Sequence, residues 1–107
     1  MLNDTRARES NLKEWVKIDP SGKWMLRGYY WYTGQIDKSI ELGHDLIAES
    51  TNPSQSVVAR ANLANDYIDT NQLEKAKKLV SQIEEIIRYG MTNYQSVVGI
   101  FWKTGAE

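Results

Sequence analysis

The chain has 107 residues, a formal net charge of −1 and no cysteine, so its length predicts one domain with a modest core. Its 13 basic and 14 acidic residues leave no basic excess of the kind that nucleic-acid binding requires. The absence of cysteine excludes disulfides, thiolate catalysis and Cys-ligated zinc. No apolar run approaches about 18 residues and the N-terminus carries both charge signs, so we expect no membrane span, no signal peptide and a cytoplasmic protein.

Two helices are predicted before Gly34, on either side of a turn at residues 19–22. The first is expected over residues 4–18, and its inward-facing residues are Leu12, Trp15, Val16 and Ile18. The second is expected over residues 23–33. Three Trp and three Tyr residues are concentrated between Trp15 and Tyr32.

Two longer helices are predicted over residues 36–50 and 53–69. The apolar stripe of the first consists of Ile36, Ser39, Ile40, Gly43, Leu46 and Ile47. Asn52 is placed to cap the second helix, and Pro53 suits its first turn.

The clearest helix is predicted over residues 72–88. Its apolar stripe consists of Leu73, Ala76, Leu79, Val80, Ile83, Ile86 and Ile87. Asn71 followed by Glu74 resembles a capping box, and Gly90 is a stop signal. A last helix is predicted over residues 92–104. With no strand pattern anywhere, the chain is expected to be all-α, with about six helices and short loops.

The pattern of residues 63–76 occurs again elsewhere in the chain. At an offset of 37 residues, the aligned pairs are Leu63 with Leu26, Tyr67 with Tyr30, Asn71 with Gly34, Leu73 with Ile36, and Ala76 with Ser39. At an offset of 34 residues, they are Leu63 with Val97, Ala64 with Val98, Tyr67 with Phe101, and Asn71 with Gly105. Self-similarity at a nearly fixed period indicates a repeat architecture.

The stretch "LANDYIDTNQLEKA", residues 63–76, resembles the tetratricopeptide repeat. The resemblance implies a right-handed stack of antiparallel helical hairpins in a single domain, residues 1–107. Its parts are an N-terminal helix at 1–19, a degenerate repeat at 23–50, the best repeat at 54–89 and a half repeat at 92–107. A hairpin with two apolar faces must stack on neighbours to bury both. A generic helical bundle is the alternative.

The resemblance also implies a concave groove lined by the first helix of each repeat. Equivalent positions on one helix face are Trp24, Gly28 and Trp31, then Ala61, Asn65 and Ile68, then Gln95, Gly99 and Trp102. Either the two glycines keep the groove floor low for a peptide or they let helices approach closely. In the same way, Trp31 and Trp102 either grip a ligand or fill the core. Asn62 and Asn65 either hold a peptide backbone or are solvated.

Some relatives clamp a peptide's C-terminal carboxylates with Lys, Asn and Arg side chains. The corresponding positions here are Trp24, Gly28, Asn62, Thr92 and Ser96, of which only Asn62 fits. We therefore expect a protein- or peptide-binding module whose ligand is held by apolar anchors, such as an adaptor, a chaperone or the sensing part of a regulator. An amphipathic helix or an extended segment with large side chains would suit this groove.

Self-association is the alternative function. The last predicted helix carries apolar residues on more than one side, among them Val98, Phe101 and Trp102. A second copy of the chain could cover them across a two-fold axis.

Catalytic and metal-binding patterns are weak. Glu41 and the single histidine, His44, have the spacing of a carboxylate–histidine metal pair, but a di-metal site needs two such motifs and further carboxylates. We expect a solvated helix face formed by Asp37, Glu41, His44 and Asp45. Because the sequence has no nucleophile elbow and no Gly-rich phosphate loop, we expect no enzyme, no metal and no cofactor.

Overall fold

The computed structural model describes residues 2–90, with side-chain surroundings from residue 6 to residue 88. These residues form α1 (Leu2–Ile18), α2 (Gly22–Tyr32), α3 (Ile36–Glu49), α4 (Pro53–Asp69), α5 (Leu73–Glu85) and a π-helix (Ile86–Gly90). No strand occurs among residues 2–90, so the all-α class is confirmed for them. The predicted helix at 92–104, with Gln95, Val98, Gly99, Phe101 and Trp102, lies outside the described residues.

The chain divides into two compact units, residues 1–42 and residues 43–107. The division falls inside α3, after Leu42. The first half of α3 therefore belongs with α1 and α2, and its second half belongs with α4 and α5.

In the first unit, α1 and α2 pack against each other as a helical hairpin. The turn between them forms as predicted, since the backbone N–H of Gly22 donates to the Asp19 carbonyl at 2.9 Å and that of Ser21 donates to Asp19 Oδ1 at 3.1 Å. The core of this unit consists of Leu26, Tyr29 and Tyr30, with Leu12, Val16 and Leu42 packed against them. The face of α1 that carries Leu12 and Val16 thus packs against α2.

The predicted inward positions of Ile18 and Trp15 are wrong. Ile18 is 84% exposed and Trp15 is 41% exposed. At 3.6 residues per turn, Ile18 points roughly 140° away from the centre of the face that Leu12 and Val16 define. Trp15 lies at the edge of that face and covers Gly22, whose Cβ, if it had one, would be 3.3 Å from Trp15 Cγ.

In the second unit, α4 and α5 form another hairpin. Its antiparallel direction follows from Arg60 and Gln82, which lie at equal distances in sequence on either side of Asn71, because Arg60 Nε donates to Gln82 Oε1 at 2.9 Å. The buried apolar residues of this unit are Leu46, Ala59, Leu63, Ala64, Tyr67, Ala76, Leu79 and Ile86. A Cβ on Gly43 would lie 3.1 Å from Leu63 Cδ1, so the glycine lets α3 approach α4 closely.

One predicted cap is confirmed and the other is wrong. Asn52 Oδ1 accepts a hydrogen bond from the backbone N–H of Gln55 at 2.9 Å, and Pro53 opens α4. At α5 the N-cap is Gln72, with no side-chain cap bond, because Asn71 has a φ of 60° and terminates α4 instead. Glu74 forms an exposed ion pair with Lys77 at 3.3 Å.

The predicted stripe of α5 is only partly buried. Ala76, Leu79 and Ile86 are buried, whereas Leu73 and Val80 are 49% and 46% exposed. The apolar stripe is therefore wider than the surface that its neighbours cover. Beyond Glu85 the predicted helix continues in π-helical form to Gly90.

The turns that end α2 and α4 have the same backbone geometry 37 residues apart. In the first, the N–H of Gly34 donates to Trp31 at 3.1 Å and that of Gln35 donates to Tyr30 at 2.8 Å, which is a Schellman motif. The same two bonds recur 37 residues later at 3.1 and 2.7 Å. The left-handed residue is Gly34 in the first turn, with a φ of 79°, and Asn71 in the second.

Side chains reinforce both turns identically. Thr33 Oγ1 donates to the Tyr29 carbonyl at 2.9 Å and accepts a hydrogen bond from Gln35 Nε2 at 2.8 Å. Thr70 and Gln72 repeat these bonds, at 2.9 and 2.8 Å. In each turn, the side chains that form these hydrogen bonds belong to the turn itself, and their partners lie no more than four residues away.

A lysine follows each turn at the same position. Lys38 Nζ lies 5.2 Å from the ring centre of Tyr30, and Lys75 Nζ lies 5.4 Å from that of Tyr67. These contacts are within the range of cation–π attraction. Together with the turns, they show that the repetition in the sequence corresponds to a repetition in local structure.

Gly28 and Gly34 allow the effect of backbone conformation to be measured without a change in packing. Among the described residues, a Cβ at either position would meet no atom within 4 Å beyond its chain neighbours and its own helix backbone. Gly28 is helical, so Gly28→Ala should stabilise the protein by about 0.5–1 kcal/mol. Gly34 has a φ of 79°, so Gly34→Ala should destabilise it by about 1 kcal/mol. Thermal unfolding followed by circular dichroism checks both, and each kcal/mol moves the midpoint by about 4–8 °C. Equal effects of the two substitutions would contradict the assigned turn.

Candidate functional site

The outward face of α2 exposes large apolar side chains around a glycine. Met25, Trp31 and Tyr32 are 56%, 48% and 80% exposed, and Trp24 is half-buried. They lie three or four residues before and after Gly28, and these are the positions that surround a residue on a helix surface. Among the described residues, apart from the chain neighbours of Gly28 and the backbone of α2, no atom lies within 4 Å of its Cβ position, so the face is open at its centre. We call it the Gly28 depression, with Gly28 as floor and these four side chains as rim.

The face of α2 opposite the Gly28 depression is buried, and this directs the depression away from the core. Leu26, Tyr29 and Tyr30 are buried on that face, and the rings of Tyr29 and Tyr30 meet edge to face with centres 5.7 Å apart. Leu12 and Val16 of α1 pack against the same cluster. Rotation of α2 about its axis would expose these residues, so burial on one face fixes the direction of the other.

A charged group reinforces this contact between α1 and α2. The Tyr30 hydroxyl donates to Glu9 Oε2 at 3.0 Å, and Lys13 Nζ lies 3.2 Å from the same oxygen. The hydroxyl and then Lys13 hold the pKa of the Glu9 carboxyl below its ordinary value. Burial and then the Glu9 carboxylate raise the pKa of Tyr30. The carboxylate is therefore held in its charged form while it joins the two helices.

The structure separates the alternatives that the sequence leaves open for Gly28 and Trp31. Among the described residues, no other helix comes within 4 Å of the Cβ position of Gly28, so close approach of one of these helices is not the reason for a glycine there. Trp31 is 48% exposed, so it does not fill a core. Both residues, with Trp24, belong to one exposed face of α2.

The equivalent face of α4 carries smaller and more polar side chains. Val58 and Ile68 are 48% and 52% exposed, Asn65 is exposed, and Ala61 and Asn62 are half-buried. This face has no aromatic residue and no glycine. That it lines one groove with α2 stays a prediction from the family resemblance.

His44 has a specific partner that the sequence did not indicate. Its Nε2 lies 2.9 Å from the Tyr67 hydroxyl oxygen, and the two rings are 6.3 Å apart. Asp37, Glu41 and Asp45 are exposed as predicted. Burial raises the pKa of Tyr67. Within residues 6–88, no three His, Asp or Glu side chains are arranged to hold a metal ion.

A buried polar group inside the α4–α5 hairpin was also missed. Arg60 is 5% exposed and Gln82 is 5% exposed, and besides the bond to Gln82 the guanidinium donates to the Ser56 hydroxyl. The only sequence signal is an arginine four residues after a serine on a helix. Since such spacing is common on solvated faces, it does not indicate burial.

No family model, curated protein or solved structure matches this chain. The resemblance to the tetratricopeptide repeat therefore rests on the residues that carry it. In the described part of the chain, no helix combines the length and the hydropathy needed to cross a membrane.

Acid should weaken the contact between Glu9 and Tyr30. Because the pKa of Glu9 is lower in the folded protein, its carboxylate stabilises the fold at pH values above its ordinary pKa of 4.5. This stability is lost as the pH falls through the folded-state pKa. Tyr30→Phe removes the hydrogen bond that lowers the pKa of Glu9 most. It should therefore reduce the free energy of unfolding by about 1 kcal/mol at pH 7. It should also make this free energy decline less steeply as the pH falls. Urea unfolding at a series of pH values between roughly 7 and 3 measures both effects.

Tyr32→Phe is the matched control, because Tyr32 is 80% exposed. It should leave both the stability at pH 7 and its decline in acid unchanged. If the free energy of unfolding of Tyr30→Phe declined in acid as steeply as that of the wild type, the hydrogen bond would not set the protonation of Glu9.

Proposed function

We propose that this chain is a protein- or peptide-binding module that takes a large, uncharged apolar side chain of its partner into the Gly28 depression. The observation that carries the proposal is that three exposed large apolar side chains and the half-buried Trp24 surround an open glycine on α2. Aromatic side chains bring large buried areas to an interface, and Trp is favoured among the residues that dominate binding energy. A rim of this composition favours contact with a partner over contact with water.

The comparison between α2 and α4 supports a binding role over a folding role. Both helices bury a leucine and a tyrosine at matching positions and end in the same turn. At the positions of Trp31 and Tyr32, however, α4 has Ile68 and Asp69. Since α4 buries the same leucine and tyrosine and ends in the same turn without aromatic residues there, this helix–turn segment does not in general require them.

The charge of α2 favours an uncharged ligand. Aromatic rims bind either apolar groups or cations, and cations are usually assisted by a nearby carboxylate. The helix has no acidic residue, and its two charged residues are Lys23 and Arg27. We therefore infer that the anchor is a Leu, Met or Phe side chain, carried by an amphipathic helix or an extended segment.

The span of the depression suits one side chain. Its rim residues lie within about one turn of Gly28, roughly 6 Å along the helix axis, so the space over the glycine accommodates a single anchor. Burying a side chain of this kind contributes roughly 1.5–3 kcal/mol, so further contacts must supply the rest of a useful affinity. This favours a ligand several residues long.

The finer architecture is part of the same proposal. We infer a right-handed, tetratricopeptide-like stack in which residues 22–49 and 53–85 are successive repeats. The two turns with identical hydrogen bonds and the lysine that follows each of them support this inference. Such modules serve as adaptors, chaperones or sensing parts of regulators, and we expect this one to act in the cytoplasm.

Filling the depression tests the proposal. A displayed library of random 16-residue peptides is selected on the full chain, and the best peptide is labelled and titrated by fluorescence anisotropy. Gly28→Leu fits the open space and should weaken binding about tenfold or more, because it occupies the place of the anchor. Ala48→Leu places the same side chain on an exposed position of α3 and should leave binding unchanged.

Two outcomes would contradict the proposal. One is a selected peptide that binds Gly28→Leu as tightly as the wild-type chain. The other is a set of peptides that share a cationic rather than an apolar anchor. Circular dichroism of both variants ensures that a loss of binding is not a loss of structure.

A further inference from the structure

A second exposed apolar surface runs along α5 and into the π-helix. Leu73, Val80 and Ile87 are 49%, 46% and 57% exposed and follow one another at intervals of seven residues. The backbone is helical through Ile86, with φ −62° and ψ −45°, so the helix axis continues from α5 to Ile87. A spacing of seven places all three on one line along the helix, as in a coiled-coil seam.

Two oppositely charged residues border this line on its solvent side. They are Lys77 and Glu84, both exposed, which lie four residues after Leu73 and Val80. On the other side of the line lie Ala76, which is buried, and Ile83, which is half-buried.

This arrangement is complementary to itself when reversed. Leu73 and Ile87 lie seven residues before and after Val80, while Lys77 and Glu84 lie three before and four after. If a second copy is placed antiparallel, Leu73 faces Ile87 of that copy and Lys77 faces its Glu84. Glu74 and Arg88 each follow a member of the line by one residue, so they point away from it and take no part in this pairing.

A parallel arrangement has the opposite effect. Each charge would then face the same charge of the second copy, which disfavours association. Only the antiparallel arrangement joins apolar to apolar and opposite to opposite charge, and it generates a closed two-fold contact.

We propose that the exposed face of α5 binds a second copy of this chain antiparallel, with the two-fold axis near Val80. Two ion pairs within the chain, Lys77 with Glu74 and Arg88 with Glu85, do not prevent this contact. Both are exposed, and exposed ion pairs contribute little to stability. Residues 73–90 extend roughly 25 Å, so the contact is short and the dimer dissociates on dilution. The proposal is independent of the Gly28 depression.

Sedimentation velocity of the full chain over a concentration series tests it. The wild-type chain should shift from monomer to dimer as concentration rises. Val80→Glu places two carboxylates face to face at the axis and should weaken association by roughly a hundredfold. Val58→Glu is the matched control, because Val58 on α4 is exposed to nearly the same extent, 48% against 46%, and it should dimerise like the wild type.

Charge exchange tests the orientation. Lys77→Glu and Glu84→Lys should each dimerise more weakly than the wild type, because every such copy faces like charges. An equimolar mixture of the two variants should associate again, since opposite charges then meet across the contact. Raised salt should reduce the difference between the mixture and the single variants.

The inference is overturned if the wild-type chain stays monomeric at millimolar concentration, or if Val80→Glu dimerises normally. It is also overturned if Trp102→Glu abolishes the dimer while Val80→Glu does not, because the last predicted helix would then be the interface. A mixture no stronger than either single variant would refute the antiparallel pairing. Circular dichroism confirms that each variant is folded.

Discussion

The structure depends on the way in which α2 and α4 end. A residue with positive φ, Gly34 or Asn71, reverses the chain, and a threonine and a glutamine bind the turn from within. Because all partners of these bonds lie within a few residues, the turn forms from local sequence and fixes where the next helix starts. In each turn, the backbone N–H of the glutamine donates to the carbonyl of the buried tyrosine, Tyr30 or Tyr67. The same residue thus belongs to both the turn and the core. The same solution appears twice, 37 residues apart.

Because the same helix and turn occur twice, residues that both copies have can be compared with residues that only one copy has. What both copies keep, such as Leu26 with Leu63 and Tyr30 with Tyr67, is buried and holds a hairpin together. What only one copy has, such as Trp31, is exposed to about half. The proposed binding role rests on this difference: an exposed aromatic group stands where the matching residue of α4 is Ile68.

Helix limits could be predicted closely because capping and breaking signals are local: Asn52, Pro53 and Gly34 act through bonds to their own neighbours. Burial was predicted less well, because it depends on which element covers a helix. Periodicity showed a wide apolar stripe on α5 but not that Val80 would stay exposed. Ile18 continued a plausible stripe that the short helix α2 does not cover. The contact between Arg60 and Gln82 joins residues 22 apart and has no signature in either segment alone.

The two exposed apolar surfaces differ in shape and charge, and this difference decides what each can bind. The Gly28 depression is bordered by uncharged side chains, and in the proposed binding role a protruding apolar side chain of a partner occupies it. The line of Leu73, Val80 and Ile87 has Lys77 and Glu84 beside it, and in the proposed dimer a reversed copy of the chain covers it. On these two proposals, the uncharged face binds a different molecule and the face with opposite charges binds its own copy. The use of separate helices for the two tasks would let the chain bind a partner while it is dimeric.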